Sequence, residues 1–476
     1  MKQFLLTTLA LSICVMAYPQ KTDRSALIDQ YVKEVIKINQ IPGLALGIIK
    51  DDRIIFQKYY GTETLESDKK VDSNSMFRIY STSKLMTNIG VFQLIEKGQL
   101  SLEDKISKYL DNLPAEWQDI KVKNLITHSS GLPNLIAFND ILVDDSNAKV
   151  IERLSSEKME FQTGNQFSYN QTNYFLLIMI IEKITGQSFE NFILDNQFAD
   201  SKNQVIFSSN ALEKIPNRVV KYNYNPIKKQ YEKSTDVSGT RAHSANGVAI
   251  TLPAFLKWSS HLSKNDLLSQ QTKEMMWQPF EFGNKKDVFA YGWDITKVNN
   301  IVSYNFSGGN VSAYKMYPNN NMAIVMMSNG YSLFPVQYRI INHIAAMIDK
   351  NLTDDYSLAE ETIISEFSKK NNPDAEKIYH SLKAKNLKWN FENTLNDIGY
   401  ILLRNSRIVE AIKVFSLNVK ENPQSANAFD SLGEGYFYAK NYALALEHYK
   451  KSLALNPENT NAVKMIQKIE DLMKKK

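Results

Sequence analysis

The chain has 476 residues, of which 43% are hydrophobic and 22% are charged, and its formal net charge is +5. This composition is typical of a soluble globular protein rather than a disordered or fibrous one, and the length predicts two or three domains. The small net charge, without a dense basic run that is interleaved with aromatic residues, argues against nucleic acid as a partner.

The first residues predict an export signal. Lys2 precedes an apolar run that ends in a tripeptide acceptable to signal peptidase, residues 15–17. We interpret residues 1–17 as a signal peptide and expect an exported, periplasmic protein. A buried first helix and a lipid anchor at Cys14 are the alternatives. Since Cys14 is the only cysteine, the mature chain would have no disulfide, thiolate nucleophile or cysteine-based metal site.

The next part of the chain predicts an antiparallel sheet that is built from both ends of one domain. Helical periodicity covers residues 24–38 and again about 335–348. Five strands are predicted, at residues 44–49, 53–60, 301–306, 311–317 and 322–328. Between them, residues 80–270 are mostly helical and loop-rich, so we expect an α+β domain with an inserted helical region. The apolar stretch 174–181 is too short to span a bilayer and predicts a core helix, and we expect no transmembrane segment.

The last part of the chain predicts helices only. Residues 350–390 are interpreted as a polar helical connector. Four marks then recur 34 residues apart: Gly399, Ala411, Phe415 and Pro423 return as Gly433, Ala445, Tyr449 and Pro457. This pattern over residues 391–476 is similar to the tetratricopeptide repeat, a helix–turn–helix unit. Two repeats and a last helix (460–473) fall short of the usual three, so we expect them to pack on the rest of the protein and to offer a site for a protein partner.

Ser81 and Lys84 have the spacing of a serine nucleophile and its base. A helix that starts at Ser81 would place its hydroxyl beside the Lys84 amine and leave backbone N–H groups for an oxyanion. A serine needs a base to take its proton, and desolvation lowers the pKa of a lysine. The same spacing occurs four more times: Ser67/Lys70, Ser146/Lys149, Ser155/Lys158 and Ser312/Lys315.

Three ordered segments separate Ser81 from the other four serines. Residues 77–84 (FRIYSTSK), 98–106 (GQLSLEDKI) and 125–133 (LITHSSGLP) resemble the class C-like branch of the serine β-lactamase and penicillin-binding superfamily, which also contains D,D-peptidases and esterases. The resemblance implies a β-lactamase-like fold over residues 24–349, an antiparallel sheet flanked by helices with a helical subdomain. It also implies that Ser81 is the nucleophile.

The resemblance implies that Tyr169 is a proton shuttle in a Tyr-x-Asn motif. A phenol with an ordinary pKa near 10 needs a nearby cation to become a base, and Lys84 would be that cation. Gln171 stands where the family has asparagine, and its extra methylene is expected to misplace a hydrogen bond to Lys84 or to a substrate amide unless Asn170 or Asn173 substitutes. Without the family resemblance, the alternative interpretation is that Tyr169 is only an aromatic residue packed before a core helix.

A third motif of the family, Lys-Thr-Gly or His-x-Gly, corresponds here to Phe306-Ser307-Gly308, followed by Gly309. Gly308 would allow close approach of a substrate, and the N–H groups of Gly309 and Ser81 would form an oxyanion hole. The cation of the motif is replaced by a phenyl ring. The alternative interpretation is an edge strand followed by a tight turn.

Two other loops contain basic residues that bear on the missing cation. Arg241 or His243 would supply the cation that Phe306 does not, although a solvated loop is the favoured interpretation of that segment. His128, in the third segment of resemblance, is expected to shape a turn.

Two functions fit the sequence. The first is an exported serine hydrolase that acts through an acyl-enzyme on a small-molecule or peptide substrate, more a D,D-peptidase or esterase than an efficient β-lactamase, with no cofactor and no metal. The second is a degenerate catalytic domain that binds cell-wall ligands or acts as a scaffold through its repeats.

Overall fold

The computed structural model describes residues 24–225, 228–332 and 335–474. The predicted signal peptide of residues 1–17, with Cys14, lies outside the described residues. The strands of the described part are β1 (Gly43–Lys50), β2 (Arg53–Gly61), β3 (Met76–Arg78), β4 (Val205–Phe207), β5 (Tyr222–Asn225), β6 (Gln230–Lys233), β7 (Val248–Thr251), β8 (Asp294–Val298), β9 (Ile301–Gly308), β10 (Ser312–Tyr317) and β11 (Met322–Ser328).

The helices fall into two groups. The first group is α1 (Arg24–Asn39), α2 (Lys84–Glu96), α3 (Val122–Ile126), α4 (Asn147–Ser155), α5 (Gln171–Thr185), α6 (Phe189–Gln197), α7 (His243–Asn246), α8 (Leu252–Ser263), α9 (Gln270–Met276) and α10 (Gln337–Ile348). With the strands it makes up what we call the first unit. The helical unit is α11 (Asp355–Ser368), α12 (Ala375–Lys385), α13 (Glu392–Arg404), α14 (Ile408–Glu421), α15 (Ala426–Tyr438), α16 (Tyr442–Leu455) and α17 (Thr460–Lys474).

The main sheet joins the two ends of the first unit. Its strand order is β2-β1-β11-β10-β9-β8, and Leu44 of β1 pairs with Ser328 of β11 in antiparallel register. This confirms the predicted α+β architecture. The core of the sheet is apolar on both faces, because α1 and α10 pack on one face and the inserted helices pack on the other.

One strand of the main sheet was not predicted. β8 pairs with β9 from Asp294 opposite Asn305 to Val298 opposite Ile301. β9, which ends in the Phe306-Ser307-Gly308 motif, lies between β8 and β10 and is not an edge strand of the sheet, although its pairing with β8 stops at Asn305, before the motif. The turn expected after the motif is present, since the Val311 N–H donates to the Gly308 carbonyl. β8 was missed because its sequence, DITKV, is short, polar and half-exposed.

Two helices run through the centre of the inserted region. Most residues of α2 and α5 are buried, including the stretch 174–181 that predicts a core helix. A helix that is apolar on all sides belongs in a core. In the described part of the chain, no helix is long and apolar enough to cross a membrane.

The helical unit explains the 34-residue period of the sequence. A side chain at Gly399 would overlap the ring of Phe415, and a Cβ at Gly433 would lie 3.1 Å from the ring of Tyr449. Each glycine therefore admits the aromatic residue of the next helix. The unit also packs on the first unit as expected, since Ile38 of α1 contacts the apolar cluster of the helical unit.

Candidate active site

Ser81 lies in a 3₁₀ turn, Tyr80–Ser83, and is partly exposed. The α-helix begins only at Lys84, three residues later than the sequence predicts. The turn is fixed from the side of the sheet, because the hydroxyls of Thr82 and Ser312 lie 2.9 Å apart and share a hydrogen bond. The Ser81 hydroxyl is thus presented by a rigid backbone at the start of a buried helix.

The residue before Ser81 is held in a strained conformation. Tyr80 has a φ of 47°, a left-handed value that is costly for a residue with a large side chain. Its ring lies between two cations, with the Arg78 guanidinium and the Lys221 amine each 4.3 Å from the ring centroid. Its hydroxyl donates to Asp236 over 3.2 Å. These contacts fix the backbone that carries Ser81.

Lys84 is completely buried and has the electrostatics of a base. Burial lowers its pKa well below the usual value, which favours the neutral amine. A neutral amine has two N–H groups and one lone pair. Lys84 Nζ donates to Gln171 Oε1 over 3.0 Å and to the carbonyl of Ala245 over 2.9 Å. The two acceptors therefore account for both N–H groups, and the lone pair can accept a proton.

Tyr169 lies beside this amine, and Lys84 Nζ is 4.9 Å from the centroid of its ring. Burial raises the pKa of its phenol to about 12, although the Ser81 and Gln171 side chains act to lower that pKa. The negative charge of Asp294 acts in the same direction as burial. The expectation that a Lys84 cation favours a Tyr169 phenolate is therefore wrong. Burial of Lys84 favours its neutral amine, and the raised pKa of Tyr169 favours its protonated phenol.

Gln171 makes the hydrogen bond that its extra methylene was expected to misplace. It is the first residue of α5, and its carboxamide contacts both Lys84 and Tyr169. The neighbouring asparagines have other partners. Asn170 caps α5 by accepting from the Thr172 N–H, and Asn173 accepts from the Ser130 hydroxyl. Neither of them substitutes for Gln171.

The end of β9 lies directly against the Ser81 turn. A Cβ at Gly308 would overlap the carbonyl oxygen of Ile79 and lie 2.7 Å from the backbone nitrogen of Ser81. Only glycine allows this approach. Gly309 follows with a φ of 54° and lies against the ring of Tyr80. The structure thus brings this backbone segment and Ser81 together.

Phe306, the first residue of the third motif, is buried, with its ring centroid 6.3 Å from that of Tyr169 and 6.5 Å from that of Phe289. A phenyl ring therefore fills the space beside Tyr169 where the family motif has a cation.

Neither alternative source of a cation supplies one here. Arg241 donates to the backbone carbonyls of Leu142 and Val143. His243 is buried in α7, with its Nδ1 atom 2.5 Å from Glu190. The interpretation of this segment as a solvated loop is wrong, since it is a short helix that packs on the Ser81 turn and contributes the Ala245 carbonyl to Lys84.

His128 lies at a turn, as expected. Its backbone has a φ of 55°, and its Nδ1 atom accepts from the Asn170 N–H over 3.0 Å. Burial lowers its pKa well below the usual value, so the ring is neutral. The ring lies 4.6 Å from that of Tyr169. His128 therefore fixes the segment that leads from Tyr169 into α5.

The other Ser-x-x-Lys pairs lie in ordinary structural surroundings. Ser146 caps α4, and Ser155 is exposed on that helix. Ser312 and Lys315 lie on β10, where residues three apart point to opposite faces of the sheet.

Sequence reasoning missed three contributors to the site. The Ala245 carbonyl left no signal, because a backbone acceptor has no side-chain signature. Asn134 donates to the Tyr169 carbonyl and accepts from the Gln171 N–H, and Asp294 acts on Tyr169 by charge. Asn134 and Asp294 both lie far in sequence from Tyr169 and Gln171, the residues that they affect. No group of three or more potential metal ligands is found among the described residues.

A family model described as Beta-lactamase matches residues 28–346. The chain belongs to the β-lactamase family. A tetratricopeptide repeat model matches residues 426–459 within the helical unit. The family resemblance of the sequence is thereby confirmed, as is the presence of a repeat.

Curated relatives of this β-lactamase-family protein match it in part. Protein flp of Staphylococcus aureus (strain MW2) is 26% identical over 180 residues, which are 37% of this chain and 36% of that protein. Penicillin-binding protein 4* of Bacillus subtilis (strain 168) is 25% identical over 272 residues, 54% of this chain and 60% of that protein. The chain therefore spans between 36% and 60% of the length of these relatives.

Solved structures share the fold. The octameric penicillin-binding protein homologue from Pyrococcus abyssi has a TM-score of 0.58 at 21% identity and covers 71% of this chain and 81% of its own. EstCE1, described as a hydrolase with promiscuous acyltransferase activity, has a TM-score of 0.57 at 15% identity, with 69% and 98% covered.

Proposed function

We propose that this protein is a serine hydrolase that forms an acyl-enzyme on Ser81. The observation that carries the proposal is the position of Lys84 beside Gln171 and Tyr169, where its Nζ donates to Gln171 Oε1 over 3.0 Å and lies 4.9 Å from the centroid of the Tyr169 ring. This buried amine lies in the same site as the partly exposed hydroxyl of Ser81. A nucleophilic serine needs such a base within hydrogen-bond reach, directly or through a relay.

In the proposed reaction, Ser81 Oγ attacks the carbonyl carbon of the substrate. The hydroxyl proton passes to the lone pair of Lys84, directly or by exchange through the neighbouring Tyr169 phenol once substrate binding brings the groups within hydrogen-bond distance. Lys84 then returns a proton, by the same route, to the leaving alcohol or amine as the carbonyl–leaving group bond breaks. A water molecule attacks the acyl-enzyme in the second half, and its proton restores the Ser81 hydroxyl.

The negative charge of the tetrahedral intermediate needs donors. We propose the backbone N–H groups of Ser81 and Gly309 for this role. The close packing of Gly308 on the Ser81 backbone supports the assignment, because it places the end of β9 beside the nucleophile. Removal of one such donor typically costs a factor of about 10² to 10³ in rate.

We propose esters and peptides as substrates in preference to β-lactams. Phe306 presents an apolar ring to Tyr169 where the family motif has a lysine or histidine. That cation would contact a substrate carboxylate next to the scissile bond, and its loss lowers the rate on such substrates.

We further propose export to the periplasm by a signal peptide at residues 1–17, and a division into residues 24–349 (hydrolase), 350–390 (connector) and 391–476 (repeats).

The second candidate is a non-catalytic binding or scaffold protein. Phe306 is the observation that favours it, together with repeats that resemble partner-binding modules. The two candidates differ in whether Ser81 reacts.

Acylation of Ser81 tests both. The purified protein from residue 18 onwards is incubated with a fluorophosphonate and with a fluorescent penicillin, and its intact mass is measured. We expect one fluorophosphonate adduct on the unaltered protein and none on Ser81→Ala. Ser155→Ala is the matched control, since it removes an exposed serine with the same lysine spacing.

No adduct with either reagent would exclude the hydrolase and favour the scaffold. An adduct with fluorophosphonate alone supports the ester and peptide assignment. An adduct that survives in Ser81→Ala would contradict the assignment of the nucleophile.

A further inference from the structure

A polar cavity lies beside the Ser81 turn, at the boundary between the two units. Its volume is about 270 Å³, and Gly309 and Asn310 form one wall. Lys221, just before β5, lines it from the first unit, and Arg404, the last residue of α13, lines it from the helical unit. The cavity thus has a cation on each side and the proposed oxyanion segment at its edge.

Among the residues that the structure describes, the charged side chains that line the cavity are all positive. Two side chains that line the cavity are cationic, and the described lining residues include no carboxylate. Asp236 approaches the Lys221 amine to 3.9 Å from outside the lining. Burial lowers the pKa of Lys221 and of Arg404, so both cations are partly desolvated. An anion in the cavity would offset this desolvation.

The cavity is coupled to the nucleophile through packed side chains. The Lys221 amine lies 4.3 Å from the centroid of the Tyr80 ring, and Gly309 lies against the same ring. Tyr80 directly precedes Ser81. The cavity and Ser81 thus share Gly309 and the Tyr80 ring as their common boundary.

Contacts with the first unit fix the position of Arg404, the cation that the helical unit contributes. Arg404 donates to the carbonyl of Ser332 and stacks near the ring of Tyr224, 5.9 Å from its centroid. Outside the cavity, Lys229 of the first unit donates to Ser406 Oγ over 2.8 Å. The first turn between repeat helices is thus attached to the first unit at the edge of this cavity.

We propose that this cavity is a subsite for a carboxylate group of the substrate, bound by Lys221 and Arg404, and that the helical unit thereby completes the substrate site. The proposal rests on the proposed hydrolase function. In this subsite the two cations, Lys221 and Arg404, lie on the far side of Gly309. The position of Phe306, where the family motif has a cation, has none.

Two pairs of esters test the subsite. Mono-p-nitrophenyl glutarate is compared with p-nitrophenyl butyrate, so that the carboxylate is on the acyl side. 3-Acetoxybenzoate is compared with phenyl acetate, so that it is on the leaving-group side. We expect a kcat/KM that is about ten-fold or more higher for the anionic member of at least one pair at low salt.

The variants assign that preference to the two cations. Lys221→Met and Arg404→Met are each expected to lower the anionic-to-neutral ratio about ten-fold, and Arg404→Lys to retain part of it. Lys229→Met is the control, because it removes a contact across the same boundary outside the cavity. A ratio near one in the unaltered protein, or a ratio that survives both methionine variants, would overturn the proposal.

Two measurements keep the result interpretable. Should Arg404→Met unfold the helical unit, as judged by circular dichroism, Lys221→Met in the first unit decides the case. Should no ester be hydrolysed, the proposed function fails separately, and the subsite is measured by calorimetric titration with glutarate. Binding that is lost in Lys221→Met supports the subsite, and no binding to the unaltered protein contradicts it.

Discussion

A buried lysine is a base only where the cost of charging it exceeds the attraction of its neighbours for a proton. The neighbours of the Lys84 amine are a carboxamide oxygen, a backbone carbonyl and the faces of two tyrosine rings, whose centroids lie 4.9 and 4.8 Å away. None of these carries a formal charge. Burial without a carboxylate among these contacts is what favours the neutral amine.

The first prediction concerns the pH dependence of acylation. The unprotonated amine is the active form, so the rate rises with pH as Lys84 loses its proton, with a midpoint well below 10.5. The phenol of Tyr169, with a pKa of about 12, stays protonated over this range. The fluorophosphonate adduct is measured by mass against time from about pH 5 to about pH 10. A midpoint at or above the ordinary lysine pKa would contradict the assignment of Lys84.

The second prediction concerns Gln171→Glu. This change places a carboxylate about where Gln171 Oε1 now lies, 3.0 Å from Lys84 Nζ. An adjacent negative charge favours the ammonium form, so the midpoint of the same pH profile should move up by about one to three units. Gln424→Glu adds the same charge to an exposed turn of the helical unit and should leave the profile unchanged. An unshifted midpoint in Gln171→Glu would show that Lys84 is not the titrating base.

Among the elements, the contact between β9 and the Ser81 turn is the closest in the site. The third prediction is that Gly308→Ala lowers the acylation rate about a hundred-fold or more, because the new methyl group forces β9 away from Ser81. The strain should also cost about 1–3 kcal/mol of stability. Both are measured, by adduct formation and by thermal unfolding.

Gly98→Ala is the control for the third prediction. Gly98 has a φ of 70° but nothing lies within 4 Å of an added Cβ. Its backbone strain costs about 1 kcal/mol without any effect on the site. If Gly308→Ala reacts as fast as Gly98→Ala, the close approach at β9 is not needed for the reaction.

The elements that the sequence predicts well have a strong pattern. β1, β11 and α5 are nearly continuous apolar runs, and α10 has a regular stripe, so each could be placed within a few residues. The short strands β3, β4 and β7 could not, because three or four residues carry no periodicity and their pairing depends on tertiary contacts.

The candidate site divides in the same way. Ser81, Lys84 and Tyr169 belong to segments that resemble family motifs, and it is this resemblance, rather than their spacing alone, that predicts them. The charge state of Lys84 could not be predicted, because it depends on burial by segments far apart in sequence. The acceptor role of Gln171 needed its actual geometry, since one methylene decides whether the carboxamide reaches the amine.

At the scale of the whole molecule, the two units are joined by an arrangement of three side chains. Tyr31 of α1 stacks on His343 of α10 with 4.0 Å between ring centroids, and its hydroxyl donates to Glu361 of α11 over 2.9 Å. His343 also contacts this carboxylate. A single acid of the helical unit thus holds two aromatic side chains of the first unit.

The fourth prediction is that Glu361→Ala lowers the unfolding temperature of the helical unit by several degrees. The partly buried hydroxyl of Tyr31 loses its acceptor, which costs about 1 kcal/mol. Differential scanning calorimetry should then resolve an earlier transition for the helical unit. Glu376→Gln, at a side chain that is 61% exposed on α12, should leave the profile unchanged. Identical profiles for the two variants would show that this contact does not join the units.

The pairing of β1 with β11 has a consequence for the order in which the chain folds. Leu44 meets Ser328 across the sheet, so β1 has no partner on that side until almost the whole first unit has been synthesised. Pairings between such distant residues form slowly, whereas the repeat helices pack on their neighbours in sequence and form quickly. A chain that stops before β11 leaves the edge of β1 open, and an open apolar edge recruits other chains. Premature termination in this region should therefore produce insoluble protein rather than a smaller hydrolase.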